Sequence, residues 1–320
     1  MNIKKIAVLT NPMSNGNKKR INEIKNIIAS YPDVLHFVIK NPDEVYKALN
    51  LCSDAGVDLL IINGGDGTIQ NILTIILKDR PFSKIPFISI LPAGSTNLIA
   101  KNIGINSPEK TALTSILNWA QNSNKKPRIH TFPTLKVTSL KSNYQLYGMF
   151  FGMGLIYKGS IFFNKYLNKY GLKGTIGVLI TIIRMIIAVI LKNKYYTGHI
   201  NINIEVDGKE YKDVNCLTLM ATTLKSLIAG IKLNGNISKN LNCYFVKTNP
   251  RYLLRNILTL FKTRKSVHWI PENGYYNFKA NSIKISGIFG FILDGELFEI
   301  TDKSDILTIE TNEDISFLTI

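Results

Sequence analysis

The sequence predicts a chain of two domains, an amino-terminal α/β domain built on a parallel sheet and a carboxy-terminal domain rich in β-strands. Over residues 1–127, short apolar runs alternate with segments whose apolar residues recur at helical spacing, as strands and helices do in turn. From residue 128 onward, short strand-like runs are separated by turn residues instead. The change falls in the polar, proline-terminated stretch 121–127. We therefore predict domains at residues 1–127 and 128–320, with the last residues as candidates for packing back on the first domain.

Three strand-like runs of the first domain each end in a loop of small and polar residues. The run at 5–9 leads to Asn11, the run at 59–62 leads to the loop 64–68, and the run at 85–91 leads to the loop 92–97. The carboxyl ends of neighbouring parallel strands form the ligand crevice of such sheets. We therefore expect the three loops to border one site.

The loop Gly64-Gly65-Asp66-Gly67-Thr68 is the most specific of the three. It stands between an apolar strand and an apolar helical pattern. Its glycines are expected to take positive φ and turn their N–H groups toward an anion, while the following helix adds its positive dipole end. Phosphate is the predicted ligand. Asp66 would repel a bare phosphate, so it is predicted to reach Mg²⁺, a ribose or a positioned water. The alternative is an ordinary strand-to-helix turn.

The chain carries a formal net charge of +17, which indicates the classes of partner it can bind. Neither zinc-finger spacing nor an aromatic RNA-binding pattern is present in the sequence, so we do not expect nucleic acid as a partner. The charge favours an anionic membrane surface. A basic surface without a specific partner stays open as an alternative. The three cysteines lack the spacing of a zinc site or a disulfide framework.

Two segments of the second domain bear on membrane contact. Residues 174–191 are almost continuously apolar between flanking lysines, but Arg184 lies at their centre, so we predict a buried or membrane-touching helix rather than a span. Residues 251–265 alternate apolar and basic positions at helical spacing, for which a solvated face is favoured over membrane docking. The amino terminus leaves no room for a signal peptide before the first strand. These features predict a cytoplasmic protein, peripheral at the inner face of the membrane.

Four motifs follow one another along the chain. They are Asn11-Pro12 with Ser14 and Gly16, the loop 64–68, Pro92-Ala93-Gly94-Ser95-Thr96-Asn97, and Asp294-Gly295-Glu296. In this order they resemble the diacylglycerol kinase catalytic family, which includes bacterial lipid kinases and the sphingosine and ceramide kinases. NAD kinases share the Gly-Gly-Asp-Gly loop but continue with a different segment. The resemblance spans essentially the whole chain and implies a nucleotide-binding α/β domain like that of NAD and diacylglycerol kinases, a β-rich lipid domain and an active site between them.

The resemblance implies an ATP- and Mg²⁺-dependent kinase that phosphorylates the hydroxyl of a membrane lipid such as diacylglycerol or a sphingoid or ceramide-type lipid. The residues expected to hold the nucleotide are Asn11, Gly64, Gly65, Asp66, Gly67, Thr68, Gly94, Ser95 and Asn97. Asp66 is also the expected metal ligand. Asp294 and Glu296 are the acidic pair implied to deprotonate the lipid hydroxyl, with Glu296 preferred as the base. By its residues alone, Asp294-Gly295 equally suits a hairpin turn, as does Asp207-Gly208.

Several positions depart from the family pattern. Gln70-Asn71 stands where the family has an Asn-Glu pair, and Leu98 replaces an acidic residue after the third loop. Residues 235–240 replace the acidic segment that binds a structural Mg²⁺ in some bacterial members, so that metal site is not predicted. Two alternatives stay open: a nucleotide kinase of the NAD kinase type, and a degenerate protein that binds lipid or nucleotide without turnover. For the assembly of the chain, the prediction is a homodimer.

Overall fold

The structure is a computed structural model that describes residues 3, 5–122, 126–168, 171, 172, 174–198, 200–227, 240–256 and 268–320. The chain divides into two compact units. Unit 1 comprises Met1–Phe132 and Glu313–Ile320, and unit 2 comprises Pro133–Asn312. The chain therefore passes between the units twice.

Unit 1 is built on a parallel sheet. Its strands are β1 (Ile6–Thr10), β2 (Val34–Val38), β3 (Leu59–Gly64) and β4 (Phe87–Pro92). They lie in the order β2-β1-β3-β4. The register pairs Thr10 with Asn63 and Gly64 with Pro92, so the carboxyl ends of β1, β3 and β4 lie side by side. The predicted α/β class of this part of the chain is confirmed.

Three helices connect these four strands, and two more follow β4. They are α1 (Asn17–Ala29), α2 (Pro42–Asp54), α3 (Asp66–Asp79), α4 (Leu98–Asn102) and α5 (Glu109–Asn122). Local chemistry sets the start of α2, because the Asn41 side chain accepts a hydrogen bond from the Glu44 N–H (2.9 Å). In α3, Ile69, Ile72 and Ile76 recur at helical spacing and are buried. Helix α3 begins two residues after β3 ends, which places its amino terminus at the carboxyl edge of the sheet.

Unit 2 consists mainly of antiparallel strands. The strands are β5 (Arg128–Ser139), β6 (Tyr144–Gly148), β7 (Phe150–Gly154), β8 (Ile200–Val206), β9 (Lys209–Thr222), β10 (Leu241–Lys247), β11 (Tyr275–Ala280), β12 (Ser282–Gly287), β13 (Phe289–Leu293), β14 (Glu296–Ile300) and β15 (Ile306–Thr319). Neighbours follow the order β14-β13-β7-β9-β8-β12, and β10 pairs with β9 and β11. Phe151, Phe245 and Phe291 are fully buried in the core between them. The predicted β-rich class of the second part is confirmed.

The two strands at the ends of this series, β5 and β15, begin or end in unit 1. Within unit 1, Phe317 of β15 pairs in parallel with Ile88 of β4. The Ser89 hydroxyl donates to the Leu318 carbonyl (2.9 Å), and the rings of Phe132 and Phe317 meet edge to face. The end of the chain thus completes the core of unit 1.

Some strands differ from the sequence-based expectation. We predict one strand over residues 147–153, but the structure breaks it at Met149, whose N–H donates to the carboxylate of Asp294 (2.8 Å) instead of to a neighbouring strand. The strand-like runs of the sequence after residue 128 are 130–137, 147–153, 199–206, 215–222, 243–246, 282–285, 290–293 and 297–300. Strands β11 and β15 are therefore not predicted. In β15 the polar run 310–314 interrupts the apolar alternation by which a strand is recognised.

The helical part of unit 2 contains the long apolar segment. Its elements are α6 (Leu155–Phe162), a π-helix at Phe163–Asn168, α7 (Gly174–Ile190) and α8 (Lys194–Thr197). Within the ranges given above, no helix has both the length and the apolar character needed to cross a membrane. Of the segments predicted at 235–240 and 251–265, most residues lie outside the described part of the chain.

Candidate functional site

The loop after β1 is joined directly to the loop after β3. The side-chain amide of Asn11 donates to the Thr68 hydroxyl (2.9 Å), and its oxygen accepts from the Met13 N–H (2.8 Å). The Asn11 N–H in turn donates to the Asn63 carbonyl (2.9 Å). Asn11 is therefore held on both sides, with its side chain directed to the start of α3.

Glycine is required where the loops after β3 and β4 meet. A Cβ on Gly94 would lie 2.6 Å from the Cα of Gly65, and a Cβ on Gly65 would lie 3.0 Å from the Cα of Gly94. A Cβ on Gly64 would collide with Thr68. Our expectation of positive φ at Gly64, Gly65 and Gly67 is wrong, since none of them is among the residues in that region and Gly65 has φ −90°. Gly65 and Gly94 are needed for the close approach of two backbones, and Gly64 leaves room for the Thr68 side chain, so none of them is needed for backbone handedness.

The carboxylate of Asp66 holds the third loop. One oxygen accepts from the Thr96 hydroxyl (2.6 Å) and the Leu98 N–H (3.0 Å), and the other accepts from the Ile99 N–H (3.1 Å). Asp66 is buried, and its partners include the first two N–H groups of α4. It therefore satisfies the amino terminus of a second helix while standing at the amino terminus of its own.

The predicted metal role of Asp66 stays a prediction. Within the part of the chain that the structure describes, no group of three or more His, Cys, Asp or Glu side chains is arranged to hold a metal ion. A carboxylate offers about four lone-pair directions. Three of those directions on Asp66 already accept hydrogen bonds, so a metal could use little more than one direction on Oδ1.

Asn97 and Ser95 complete the third loop. Asn97 has φ 50°, in the left-handed region that asparagine tolerates better than most residues. Its side chain accepts from the Gly94 N–H (2.8 Å) and donates to the Gly94 carbonyl (3.1 Å). The Ser95 hydroxyl accepts from the side-chain amide of Asn15 (2.6 Å), which ties this loop to the loop after β1. Within unit 1 the structure thus joins all three predicted loops in one hydrogen-bonded network.

Three residues of this network were missed as site residues. Asn15 and Thr96 stand inside predicted loops, so their polar side chains were the available signal. Asn17 is buried at the first turn of α1 and donates to the carbonyls of Asn11 (2.7 Å) and Asn63 (3.1 Å). Its position inside a helix concealed that role, because nothing in the local sequence indicates which carbonyls it reaches.

Replacement of Asp66 by asparagine is expected to lower both the stability of unit 1 and the nucleotide binding that the family resemblance implies. The amide has one acceptor oxygen for three donors, and its NH₂ group would face N–H groups, so unfolding free energy should fall by about 1–3 kcal/mol. Urea unfolding and ATP titration measure the two effects. Asp79→Asn, at the exposed far end of the same helix, is the matched control. Wild-type stability and affinity in Asp66→Asn would contradict the assigned role.

In unit 2, Asp294 and Gly295 form a two-residue hairpin turn between β13 and β14. Both have positive φ (47° and 94°), as a turn of this kind requires. Asp294 is buried, and its carboxylate accepts from the backbone N–H groups of Met149 (2.8 Å) and Phe150 (2.9 Å). These bonds anchor the hairpin to β7.

The hairpin at Asp207-Gly208 has the same construction. Asp207 also has φ 47°, and one oxygen of its carboxylate accepts from the N–H groups of Asn281 (2.9 Å) and Ser282 (2.9 Å). Since the resemblance assigns no catalytic role to Asp207, hydrogen bonds of this kind also form at a turn where no catalysis is expected. The hydrogen bonds of Asp294 position the hairpin, and its catalytic role stays a prediction.

Glu296 differs from Asp294 in both exposure and partners. It is the first residue of β14 and is exposed, and no described residue forms a hydrogen bond with its carboxylate. Protein atoms around the carboxyl nevertheless displace water, and this desolvation raises the pKa of Glu296 above its ordinary value. An available carboxylate with a raised pKa is suited to accept a proton near neutral pH. The structure thus keeps Asp294 and Glu296 together in unit 2, as it keeps the loop residues together in unit 1.

Comparisons of the sequence with known proteins find matches over the part of the chain that carries the three loops. Residues 5–125 match the family model of the Diacylglycerol kinase catalytic domain. A curated relative, "Acylglycerol kinase, mitochondrial" from Xenopus laevis, is 36% identical over 112 residues, which are 32% of this chain and 24% of the relative. The match therefore spans about a quarter of that relative's length.

Solved structures of similar fold cover the full chain. A diacylglycerol kinase from Bacillus anthracis str. Sterne has a TM-score of 0.64 at 17% identity, covering 100% of this chain and 98% of the other. A putative diacylglycerol kinase from the same organism has a TM-score of 0.69 at 18% identity, with the same coverage. At these identities the likeness concerns the fold, and it extends over both units.

Proposed function

Residues 5–125 match the diacylglycerol kinase catalytic domain, and from this premise we propose that the chain is a lipid kinase that uses ATP and Mg²⁺. Its acceptor is the hydroxyl of a membrane lipid, with diacylglycerol and sphingoid or ceramide-type lipids as the candidate class. The observation that carries the proposal is the hydrogen-bonded network of three loops at the carboxyl edge of the unit 1 sheet.

The nucleotide phosphates fit the amino terminus of α3. The first hydrogen bond of that helix runs from the Ile69 N–H to the Gly65 carbonyl (3.1 Å), so Gly67 and Thr68 precede it with N–H groups that have no acceptor inside the helix. These groups and the helix dipole favour an anion. Gly64, Gly65 and Gly94 keep side chains away from this point. Asn11 and Ser95 supply further polar groups from the neighbouring loops.

The residues of unit 1 fit a Mg²⁺ ion that takes few of its ligands from the protein. It supplies charge neutralisation on the transferring phosphate, and proteins often bind it through one carboxylate together with phosphates and water. In unit 1, Asp66 Oδ1 is the oxygen with a remaining lone-pair direction. The principal task of Asp66 in this proposal is to hold residues 96–99.

Glu296 acts as the proton acceptor in the proposed reaction. The lipid hydroxyl oxygen forms a bond to the γ-phosphorus, the bond from that phosphorus to the ADP oxygen breaks, and the hydroxyl proton passes to the Glu296 carboxylate. Asp294 fixes the hairpin that carries Glu296, through its two hydrogen bonds to backbone N–H groups.

The proposed partner is an anionic membrane surface on which the lipid substrate resides. The net charge of +17 supports this partner, since each cation near such a surface contributes about 1 kcal/mol. We propose a peripheral position at the inner face of the membrane and no nucleic-acid partner. A homodimer stays a prediction.

The proposal is tested by transfer of labelled γ-phosphate from ATP. The protein is incubated with Mg²⁺ and vesicles of a total lipid extract, and in parallel with NAD without vesicles. We expect label in a lipid and none in NAD. Label in NAD would favour a nucleotide kinase, and measurable ATP or vesicle binding without any transfer would favour a non-catalytic binder.

A further inference from the structure

Helix α7 exposes a row of isoleucines along one face. We call Ile176, Ile180, Ile183, Ile187 and Ile190 the isoleucine stripe. Their exposed fractions are 66%, 36%, 56%, 48% and 50%. At 3.6 residues per turn their spacing places them within an arc of about 80°. Large apolar side chains that are exposed one by one are ordinary, but a contiguous row of this kind marks an interaction surface.

The opposite face of α7 packs against the rest of unit 2. Thr181, Met185 and Ala188 are buried. The Thr181 hydroxyl donates to the Gly177 carbonyl (2.9 Å), and a Cβ on Gly159 of α6 would lie 3.3 Å from the Thr181 methyl group. The helix therefore packs on α6 through Thr181 and Met185, both next to Gly159. The isoleucine stripe faces away from this contact and is not needed for it.

The sequence around the isoleucine stripe contains basic residues and no acidic ones. No Asp or Glu occurs between residues 110 and 204. Over residues 155–204 the basic residues are Lys158, Lys165, Lys169, Lys173, Arg184, Lys192 and Lys194. Of these, Lys165, Arg184, Lys192 and Lys194 are described and exposed. Arg184 is held beside the stripe, with its guanidinium 5.1 Å from the Phe162 ring centre and 5.7 Å from that of Tyr196.

An apolar stripe in a segment whose charged residues are all cationic matches one kind of partner. Helices that lie in a membrane interface insert their apolar face and keep Lys and Arg at the level of the headgroups. We propose that the isoleucine stripe of α7 docks the protein on bilayers that contain anionic lipid. The inference rests on the proposed function for its purpose, which is to bring unit 2 to its lipid substrate, but the docking itself requires no catalysis.

A second copy of the chain suits this surface less well. The four- and three-residue spacing of the stripe would allow helix pairing, but such pairs gain specificity from opposite charges beside the seam. Here a symmetric contact would bring together two segments whose charged residues are all basic, with no Asp or Glu on the segment to pair them.

Vesicle flotation without nucleotide tests the docking surface. The full chain is mixed with vesicles of phosphatidylcholine alone or with phosphatidylglycerol added. We expect binding to the anionic vesicles and at least a tenfold loss of affinity for them in I176S/I183S/I187S. The matched control is I270S/I288S/I306S, which replaces three exposed isoleucines elsewhere in unit 2 and should bind as the wild type does. Circular dichroism establishes that both variants are folded.

Two further readouts separate this inference from the kinase proposal. Phosphorylation of a lipid dispersed in detergent should be unchanged in I176S/I183S/I187S, because no vesicle is required. One outcome is that the wild type binds anionic vesicles without any kinase activity, while I176S/I183S/I187S does not bind them. In that case the docking proposal stands and the kinase proposal fails. The docking proposal is overturned if the variant binds anionic vesicles as tightly as the wild type. Conversion of a wild-type dimer to a monomer, with vesicle binding unchanged, would assign the stripe to a second copy.

Discussion

Replacement of Glu296 by glutamine is expected to lower kcat for lipid phosphorylation by about 10²–10⁴-fold, the usual contribution of a general base. The amide cannot accept the hydroxyl proton, yet it keeps the size of the side chain. Because the carboxylate has no hydrogen-bond partner among the described residues, its loss should leave the fold and ATP affinity unchanged. Initial rates at saturating ATP and lipid measure the effect.

The pH profile adds a second signature of Glu296. Desolvation raises its pKa, so the carboxylate becomes protonated at a higher pH than the ordinary glutamate value of about 4.3. The rate of the wild type should therefore fall as pH decreases through this raised pKa. In Glu296→Gln the residual rate should lose that acidic limb.

Glu210→Gln provides the matched control for this prediction. Glu210 is the first glutamate after the Asp207-Gly208 turn, as Glu296 is after Asp294-Gly295, and it forms an exposed ion pair with Lys212 (2.9 Å). We expect wild-type kinetics and pH dependence in Glu210→Gln. Equal activity in Glu296→Gln and Glu210→Gln would remove Glu296 from the reaction.

Replacement of Gly94 by alanine is expected to abolish ATP binding and to destabilise unit 1. The new Cβ would lie 2.6 Å from the Cα of Gly65 and 2.9 Å from the Asn97 side-chain oxygen. A backbone atom cannot turn aside, so the loops after β3 and β4 must separate. Overpacking of this kind costs about 1–3 kcal/mol. Chemical denaturation gives the stability change, and calorimetric titration with ATP gives the affinity.

Substitution of a glycine that has free space around it is the control for this collision. It measures the effect of replacing a glycine by alanine where no atom is in the way. Gly56 has φ 67° with no atom within 4 Å of the position of a Cβ. Gly56→Ala should cost about 1–2 kcal/mol of left-handed strain while leaving ATP affinity unchanged. If Gly94→Ala binds ATP as the wild type does, the close approach of the two loops is not needed for the ligand.

The sequence predicts the loops well because their signals are local. A strand-like run followed by small polar residues is visible within a dozen residues, and the sheet rule then brings the three loops together. The partners of Asp66 are not visible in this way, since Thr96, Leu98 and Ile99 lie about thirty residues further along and two are backbone groups. The purpose of the glycines is hidden for the same reason, because a contact between Gly65 and Gly94 has no pattern in either loop.

Asp294 and Glu296 of unit 2 illustrate a second limit of prediction from sequence. The Asp-Gly dipeptide predicts a hairpin turn, but the chain contains two such turns of one construction, at Asp207 and at Asp294. Sequence alone distinguishes them only through the family resemblance. The structure adds the physical difference: the residue after the second turn, Glu296, carries a carboxylate with a raised pKa, whereas Lys209 follows the first.

The three hydrogen bonds accepted by Asp66 are internal to the chain, and this has a thermodynamic consequence. Ordering a loop when a ligand arrives costs about 1–2 kcal/mol of conformational entropy per residue. Residues 94–99 are instead fixed as the chain folds, by Asp66 and by the Asn97 side chain. The interaction free energy of a ligand at these loops is then available for affinity and orientation. Unit 1 is in this sense a preorganised receptor, and the entropy of binding should come from ligand and water rather than from the polypeptide.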